Sequence, residues 1–434
     1  MSNINKNKVF EFLDKNKNRK QLQYIEEISK NNFKLLTQNI YKTENYIYWS
    51  NPTDGYKFLA VEGRNVKRIN YNLNVIKNVK LKDIVVPNYV GVKKFPSKLK
   101  SNEWSDFKSE KWFIPKSIAI QNLDKYYFVI NLSSSKKGCD VLINNSEKLF
   151  LKVDNIPDHT KTKIKITPKN NYADWKKKIE IILNKIENNI IQKLVLSRRV
   201  DATMSGKIKI VDILNKLESE NKTSCIYTVK QNDSIYFGAT PEKLLSVKNN
   251  YLYTEAVAGT IKRGKNKKED EVFENSLLKS KKNLKEHSDV VKYILEKLKA
   301  SGIKTNHESK PIIKKIKYLQ HLWTPISGKL NGKKEILNIV KTLIPTPAVC
   351  GTPQNKTIKT IEKLEQFERG LFCGFIGYIN KKNSEFIVPI RSALLNKNKL
   401  YAYAGCGVVK GSEAKEEFEE TKLKLETILS LFKK

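Results

Sequence analysis

The chain has 434 residues and is 39% hydrophobic, which is enough for one large α/β domain or two ordinary ones. Lysine supplies most of its net charge of +37 and is spread along the whole chain without a nucleic-acid-binding motif, so we expect no nucleic-acid partner. The sequence shows no signal peptide, no apolar run near the ~18 residues of a membrane span, and five scattered cysteines, which together predict a cytoplasmic protein with free thiols and no membrane partner.

Residues 1–165 show a weakly marked pattern of helices and strands. A helical segment comes first, and two strands near residues 45–62 are separated by a turn at Pro52–Gly55. A pair of strands is predicted around residues 126–153, and the polar stretch 154–162 is the most loop-like boundary. We therefore treat 1–165 as the N-terminal portion of an α/β unit that continues through 166–434.

The region 166–434 has clearer periodicity. Residues 171–192 place apolar side chains at helical spacing, and strands are predicted at 193–200, 224–228 and 235–239. One long helix is predicted over 268–299, with Val290, Ile294 and Leu298 on one stripe. Three more strands, at 371–380, 385–395 and 400–409, precede a final helix over 413–432. Consecutive strands with helices between them favour a mixed α+β fold over a doubly wound parallel sheet.

Two ionisable side chains stand at the ends of predicted strands. Lys193 opens the strand KLVLSRRV, where a buried lysine can act as a general base. An ordinary lysine at a strand edge fits the same pattern. Glu242 follows a turn at Thr240–Pro241, and it is either a glutamate at a helix N-terminus or a general acid at a sheet edge. Both alternatives stay open for both residues.

Carboxylates on two predicted helices form a candidate metal site. Glu286 lies on the long helix, and Glu417, Glu420 and Lys424 share one face of the final helix. Two carboxylates from two helices suit Mg²⁺, which takes one or two protein carboxylates and keeps several waters. A solvated, salt-bridged helix face is the alternative interpretation.

Other candidate binding residues carry weaker signals. Gly259 and Thr260 follow a predicted strand, where glycine allows a ligand to approach the backbone, although many turns look alike. His321 lies among apolar residues, as core histidines do. Arg391 lies in an otherwise apolar predicted strand, and a buried guanidinium needs a carboxylate partner, which can belong to a substrate. Arginine is scarce, with only eight in the chain. An arginine that is present therefore suggests a need for its planar guanidinium, which can form two parallel hydrogen bonds.

The most specific segment is the loop IPTPAVCGTP at residues 344–353. Its three prolines cannot lie inside a helix or a central strand, so it predicts a rigid loop that shapes a site. From about Trp175 onward, this loop and the stretches around it resemble the chorismate-utilising enzymes. The matching stretches are KLVLSRR, FGATPEKLL, AVAGTIKRG, KEHSDVV, LQHLWTPISG, IPTPAVCGTP, FERGLFCGFIGY, IRSALL, YAGCGVV and EEFEETKLK.

The resemblance implies both a fold and a reaction. The fold is a single α/β unit with two antiparallel sheets packed in the centre and helices outside. The reaction adds a nucleophile to the ring of chorismate, with loss of the C4 hydroxyl and assistance from Mg²⁺. By this resemblance Lys193 activates water for attack at C2, and Glu242 protonates the departing hydroxyl. Glu286 and Glu420 hold Mg²⁺, and Glu417 lies in or just behind the shell of ligands.

The same resemblance assigns residues to the two carboxylates of the substrate. Lys424, with the backbone of Gly405 to Gly407, binds the ring carboxylate region. Arg391 binds the enolpyruvyl carboxylate. The remaining lining of the pocket is assigned to Gly259, Thr260 and His321.

Two positions distinguish the branches of the family. Aminodeoxychorismate synthases typically have a nucleophilic lysine where this chain has Ala258, and anthranilate synthases typically have glutamine where it has Lys193. The resemblance therefore implies a water-using isomerase that forms isochorismate, with salicylate formation as the alternative. The expected pathway is menaquinone synthesis, with siderophore synthesis as the alternative, and the family-level expectation is a monomer.

Overall fold

The computed structural model describes residues 4–432 except 17–18, 20, 40–44, 72, 80–83, 133–135, 148, 150–162, 168–171, 207–208 and 331–335. The described residues form ten α-helices and 23 β-strands. The helices are α1 Lys6–Lys15, α2 Lys30–Gln38, α3 Lys136–Glu147, α4 Tyr172–Glu187, α5 Ile210–Glu220, α6 Lys267–Lys279, α7 Lys281–Ala300, α8 Ile336–Leu343, α9 Gln354–Glu365 and α10 Ala414–Leu429.

The strands of the N-terminal portion, with the first that follow it, are β1 Leu22–Glu27, β2 Tyr46–Asn51, β3 Tyr56–Val61, β4 Arg64–Val66, β5 Ile76–Lys77, β6 Tyr89–Lys93, β7 Glu110–Ile114, β8 Ser117–Asn122, β9 Lys125–Leu132, β10 Lys163–Ile166, β11 Lys193–Ser205 and β12 Cys225–Gln231. The later strands are β13 Ser234–Thr240, β14 Lys243–Lys248, β15 Tyr251–Lys262, β16 Thr305–His307, β17 Ile312–Lys315, β18 Leu319–Lys329, β19 Gly351–Thr352, β20 Phe375–Ile379, β21 Asn383–Ile387, β22 Ser392–Asn396 and β23 Lys399–Val408.

These strands join two large sheets. The first sheet has the order β10-β11-β23-β22-β13-β12-β2-β3-β8-β9-β1-β5, and β19 also pairs with β11. The second has the order β16-β18-β15-β14-β21-β20-β6-β7-β4, and β17 also pairs with β18. Among the described strands only β1 and β5 pair in parallel. The predicted fold class, two packed antiparallel sheets with helices outside, is confirmed.

The two sheets pack face to face through alternating side chains. In β2, Ile47 and Trp49 join the core between the sheets, whereas Tyr46 and Tyr48 face a second core that includes residues of α1, α2 and α5. The Trp49 ring meets the ring of Tyr378, from β20 of the second sheet, edge to face with centroids 5.5 Å apart. Each sheet is therefore buried on the face that meets the other.

Strands from the N-terminal portion belong to both sheets. In the first sheet β2 pairs with β12, so that Trp49 lies opposite Tyr227. In the second sheet β6 pairs with β20, so that Gly91 lies opposite Gly377. The predicted boundary at 154–162 falls outside the described residues. Within the described residues, no helix is long and apolar enough to cross a membrane.

Several predicted elements agree with the structure. The helix expected over 171–192 is α4, which buries Trp175, Ile179, Ile182 and Ile186.

The long helix expected over 268–299 is instead two helices, which meet at Ser280. This residue ends α6 in an extended conformation, and its Oγ accepts a hydrogen bond from the backbone N–H of Asn283 in α7 at 3.3 Å. A serine cap of this kind starts a new helix, so the prediction of one helix was wrong.

Two predicted strands were also wrong. The second strand expected within 126–153 is largely the helix α3, which buries Cys139 and Ile143 at helical spacing. The strand expected over 385–395 is broken, because β21 lies in the second sheet and β22 in the first. Arg391 lies in the connection between these strands with φ +52, a left-handed conformation that a strand cannot continue.

Candidate active site

A cavity of about 680 Å³ lies between strands of both sheets and the helices α7 and α10. Eleven of the twelve residues that the sequence singled out line it: Glu242, Gly259, Thr260, Glu286, His321, Arg391, Gly405, Gly407, Glu417, Glu420 and Lys424. The twelfth, Lys193, lies behind Glu286, and its Nζ donates a hydrogen bond to Glu286 Oε1 at 2.6 Å. The fold therefore brings all twelve positions together.

Lys193 is held at the start of β11, between two neighbouring strands. It lies opposite Thr352 of β19, and the next residues of β11 pair with β23. Its side chain is 3% exposed. A Cβ atom at Gly407 would lie 2.9 Å from Lys193 Cε and 2.6 Å from Glu286 Oε1. Only glycine at this position leaves room for the Lys193–Glu286 pair.

A second buried pair, Glu365 with Arg369, fixes the strand that carries Lys193. Arg369 donates to the carbonyl of Val195 at 2.8 Å and to that of Val349 at 2.7 Å. Glu365 Oε1 accepts from the backbone N–H of Ser197 at 2.7 Å. These side chains satisfy backbone groups that another strand would otherwise pair with. The pair thus links α9 to β11 next to the cavity.

Replacing Arg369 by methionine is expected to lower the free energy of unfolding by about 3–5 kcal/mol, because it leaves Glu365 as an unpaired buried charge. Urea denaturation measures this change. The double variant with Glu365→Gln should recover part of the loss. As a matched control, Lys422→Met removes the exposed pair with Glu419 and should cost less than about 1 kcal/mol. An Arg369→Met protein as stable as the wild type would contradict the role of the pair.

Glu242 lies in the connection between β13 of the first sheet and β14 of the second. Its backbone N–H donates to Thr240 Oγ1 at 3.2 Å, and its carbonyl accepts from the N–H of Val388 at 3.1 Å. Burial raises the pKa of the carboxyl to about 7, the charge of Glu255 adds to this shift, and nearby lysines oppose it. The interpretation as a helix N-terminal residue was wrong, since a strand follows. A carboxyl with this pKa can donate a proton at neutral pH.

Each of the three helix glutamates that the sequence singled out faces a lysine. The pairs are Lys193–Glu286 at 2.6 Å, Lys282–Glu417 at 3.3 Å and Lys424–Glu420 at 2.6 Å. Burial, with the negative charges of Glu420 and Glu286, raises the pKa of Glu417 to about 7, and the positive charge of Lys282 opposes this shift. Carboxylates of α7 and α10 therefore lie close together, and each of them lies beside an ammonium group.

This donor set fits a hard divalent cation. Carboxylate oxygens are the ligands that Mg²⁺ prefers, and the repulsion felt at Glu417 is of the kind that a bound cation relieves. In the described part of the chain, no group of three or more His, Cys, Asp or Glu side chains could hold a metal ion. Mg²⁺ takes only one or two protein carboxylates, so a pair from the two helices would suffice.

Arg391 provides a buried positive charge in the cavity, and the charges of Glu420 and Glu242 favour it from a distance. Its side chain is buried, and no other described residue forms a hydrogen bond or an ion pair with its guanidinium. Burial lowers its pKa to about 10, so it stays charged at neutral pH. The connection that carries it is held by Tyr227, whose hydroxyl donates to the carbonyl of Ile390 at 3.0 Å. An anionic ligand is the natural partner for such a guanidinium.

His321 and Thr260 lie beside each other because of a bulge at Gly259. In the pairing of β15 with β18, Ala258 lies opposite Leu322 and Thr260 opposite His321, so Gly259 is left over, with φ +77. Thr260 Oγ1 is 3.0 Å from His321 Nδ1. The buried Nε2 of His321 has no hydrogen-bond partner in the described structure. Burial holds the pKa of this imidazole well below its usual value, so a neutral ring faces the cavity.

Sequence analysis missed some residues of the cavity. Lys282 and Asn283 of α7 and Lys415 and Glu416 of α10 also line it. Lys282 neutralises part of the charge on Glu417, and its position four residues before Glu286 was the available signal. In a chain so rich in lysine, that spacing did not distinguish it from a solvated helix face.

Known proteins resemble this chain in sequence and in fold. A family model described as "Chorismate binding enzyme" matches residues 6–433. The isochorismate synthase MenF of Bacillus subtilis is 31% identical over 339 residues, which cover 77% of this chain and 72% of that protein. The salicylate biosynthesis isochorismate synthase of Pseudomonas aeruginosa is 32% identical over 252 residues, which cover 58% of this chain and 53% of that protein. The solved structure of the menaquinone-specific isochorismate synthase MenF from Escherichia coli shares the fold, with a TM-score of 0.79 at 19% identity over 98% of this chain and 99% of that one.

Proposed function

The chain belongs to the chorismate-binding enzymes, and we propose that it converts chorismate to isochorismate by adding water at C2 while the C4 hydroxyl leaves. The observation that carries this proposal is the cavity itself. A carboxyl that can donate a proton and an unpaired guanidinium line it on separate elements, and a buried lysine lies behind one of its carboxylates. Isochorismate synthases are among the relatives of this chain.

In the proposed reaction, Lys193 and Glu242 handle the two protons. Hydroxide is a poor leaving group, so Glu242 donates a proton to the C4 hydroxyl as it departs. Lys193 accepts a proton from the water that attacks C2. Glu286 holds the Lys193 side chain in place through the 2.6 Å hydrogen bond. In this proposal the acid comes from the connection between β13 and β14 and the base from β11, and the ring lies between them.

The substrate carries two carboxylates, and the cavity offers a partner for each. Arg391 pairs with the enolpyruvyl carboxylate, since it lacks a partner in the described protein. Lys424, which donates to the carbonyl of Gly405 at 2.8 Å, faces the ring carboxylate with the backbone as far as Gly407. We propose that Glu286 and Glu420 hold Mg²⁺, with Glu417 beside them. Bound there, the ion would neutralise the ring carboxylate without a proton transfer.

Water is favoured over an amine as the nucleophile because of one residue in the lining. Ala258 lies in the cavity wall. Aminodeoxychorismate synthases typically have a lysine at the equivalent position. An alanine methyl cannot form a covalent bond to the ring. A lysine that attacks the ring directly is therefore not available at this position.

Incubation of the purified protein with chorismate and Mg²⁺, followed by chromatography and mass measurement, tests the proposal. Isochorismate, which has the same mass as chorismate, is the expected product. EDTA should abolish its formation, and added Mg²⁺ should restore it. Salicylate with pyruvate would move the enzyme to the alternative activity. Chorismate that stays unchanged, with Mg²⁺ and also with ammonia present, would refute the proposal.

We also propose that the product serves menaquinone synthesis and that the enzyme is a monomer. A relative that matches 77% of the chain is named MenF, which supports the first proposal. Loss of menaquinone in cells that lack the gene would support it, whereas loss of a catechol siderophore alone would contradict it. Light scattering during gel filtration tests the second proposal, and a mass near 50.1 kDa is expected.

The dependence of kcat/KM on pH should report Glu242 in the free enzyme. The acid must carry its proton, and its pKa is raised to about 7. We therefore expect kcat/KM to fall about tenfold per pH unit above about pH 7. A series in one mixed buffer from about pH 5.5 to about pH 9 checks this. A profile that stays flat to about pH 9 would contradict the assignment of Glu242 as the acid.

A further inference from the structure

Three side chains of the second sheet lie on one face, close to the connection that carries Glu242. Residues directly opposite in antiparallel strands project to the same side. Trp323 lies opposite Val257 of β15 and Ile312 of β17. Glu255 is two residues before Val257, and Lys314 is two residues after Ile312, so Glu255, Lys314 and Trp323 share this face. The face includes Val257, which lines the cavity.

Glu255 and Lys314 form an ion pair that contacts the backbone on both sides of Glu242. Lys314 Nζ lies 2.8 Å and 3.0 Å from the two carboxylate oxygens of Glu255, and it donates to the carbonyl of Pro241 at 2.7 Å. Glu255 Oε1 also accepts from the backbone N–H of Lys243 at 2.9 Å. One member of the pair thus holds the residue before Glu242, and the other holds the residue after it.

The pair is itself fixed by a third side chain and is partly buried. Glu255 Oε2 accepts a hydrogen bond from Trp323 Nε1 at 2.6 Å. The Lys314 ammonium lies 5.7 Å from the centroid of the Trp323 ring. The Glu255 side chain is 9% exposed and the Lys314 side chain 21%. The reaction proposed above uses neither residue, and no other step requires a charged pair at this place.

The pair also contributes to the charge that Glu242 faces. The ionisable groups close enough to influence that carboxyl are Glu255, Lys314, Lys193, Lys424, Arg391 and Cys373. After burial, the negative charge of Glu255 is the largest influence that favours the protonated form, and the positive charge of Lys314 is the largest that opposes it. The two members of the pair therefore act on Glu242 in opposite directions.

We propose that the Glu255–Lys314 pair is a positioning unit for the catalytic acid: it fixes the backbone on both sides of Glu242 and balances the charge that its carboxyl faces. This inference rests on the proposed function, because it assigns the pair a role in proton donation by Glu242. Joining the strands of the sheet would not require the pair to contact both Pro241 and Lys243.

The test compares Glu255→Gln and Lys314→Gln by the dependence of kcat/KM on pH. In Glu255→Gln, which removes the negative charge, the decrease of kcat/KM at alkaline pH should move to lower pH. In Lys314→Gln, which removes the positive charge, it should move to higher pH, and each shift should be about one unit. Both variants should lose about tenfold in kcat, since the acid is less well placed, while KM changes less. Lys315→Gln is the matched control: this neighbouring lysine pairs with Asp270 and Glu274 instead and should leave the profile unchanged.

Opposite shifts of the decrease at alkaline pH in two folded variants would support the proposal. Shifts in the same direction, or an unchanged profile with normal thermal unfolding, would overturn it while leaving the proposed function intact. If either single variant unfolds, the double variant Glu255→Gln with Lys314→Gln, which leaves no lone charge, takes its place and should keep the wild-type profile at a reduced kcat. A wild-type protein that does not turn over chorismate would overturn both proposals.

Discussion

Replacing Glu242 by glutamine is expected to lower kcat for chorismate by about 10²–10⁴-fold, the usual contribution of a general acid. Glutamine has the same shape, and the backbone hydrogen bonds to Thr240 and from Val388 do not involve the side chain. The substitution removes only the proton that the departing C4 hydroxyl needs. Steady-state kinetics with quantified isochorismate measures the loss, and KM should stay within a few-fold of its wild-type value.

The stability of the same variant provides a second readout. The pKa of Glu242 in the folded protein is about 7, above the ordinary value of 4.5, so the folded state binds the proton more tightly than the unfolded state. The contribution of Glu242 to wild-type stability therefore decreases as the pH rises from about 4.5 to about 7. Glutamine removes this dependence, and Glu242→Gln should gain stability relative to the wild type as pH rises.

A control for this prediction is Glu416→Gln, an exposed residue at the edge of the cavity. It should leave kcat nearly unchanged. Retention of more than about a tenth of wild-type kcat by Glu242→Gln would show that another group donates the proton. In that case the raised pKa of Glu242 would have no role in the reaction.

Replacing Lys193 by alanine is expected to remove turnover to a similar extent, about 10²–10⁴-fold, because no other described amine lies at the start of β11 to accept the proton from water. The side chain is 3% exposed, so its removal leaves a small space beside Glu286. Ethylamine added to the solution can enter such a space and should restore part of the activity. The mass of the product must be measured, because it shows that water, and not ethylamine, was added to the ring.

The matched control for this second prediction is Lys285→Ala. Lys285 is adjacent to Glu286, but its side chain is 76% exposed and pairs with Asp289. Its replacement should leave kcat and amine dependence unchanged. An active Lys193→Ala enzyme without added amine would refute the role of Lys193 as the base, and the Lys193–Glu286 pair would then have only a structural role.

Much of the fold and the site was predictable from local patterns. The helical spacing of Trp175, Ile179, Ile182 and Ile186 predicted α4 because a single face of that helix is buried. The residues of the cavity were assigned through the resemblance of their segments to the chorismate-utilising enzymes, since the residue patterns alone left other interpretations open. Features that depend on one short segment were therefore accessible from the sequence.

Features that depend on distant segments were not. The stretch around Arg391 has the composition of a strand. It passes from one sheet to the other because β21 pairs with strands of the second sheet and β22 pairs with strands of the first. The contact of Glu255 with Lys314 depends on the register of three strands, which no local pattern specifies. Among so many lysines, neither Lys282 nor Lys314 carried a distinguishing signal.

The pairing of β6 with β20 has a consequence for how the chain is made. Lys93 at the end of β6 and Phe375 at the start of β20 are 282 positions apart. At about 5–20 residues per second, a ribosome needs about 15–60 s to cover that distance. During this interval the partner edge of β6 does not exist, and unpaired strand edges promote aggregation. The newly made N-terminal portion must therefore be kept from associating with other chains until β20 has been synthesised.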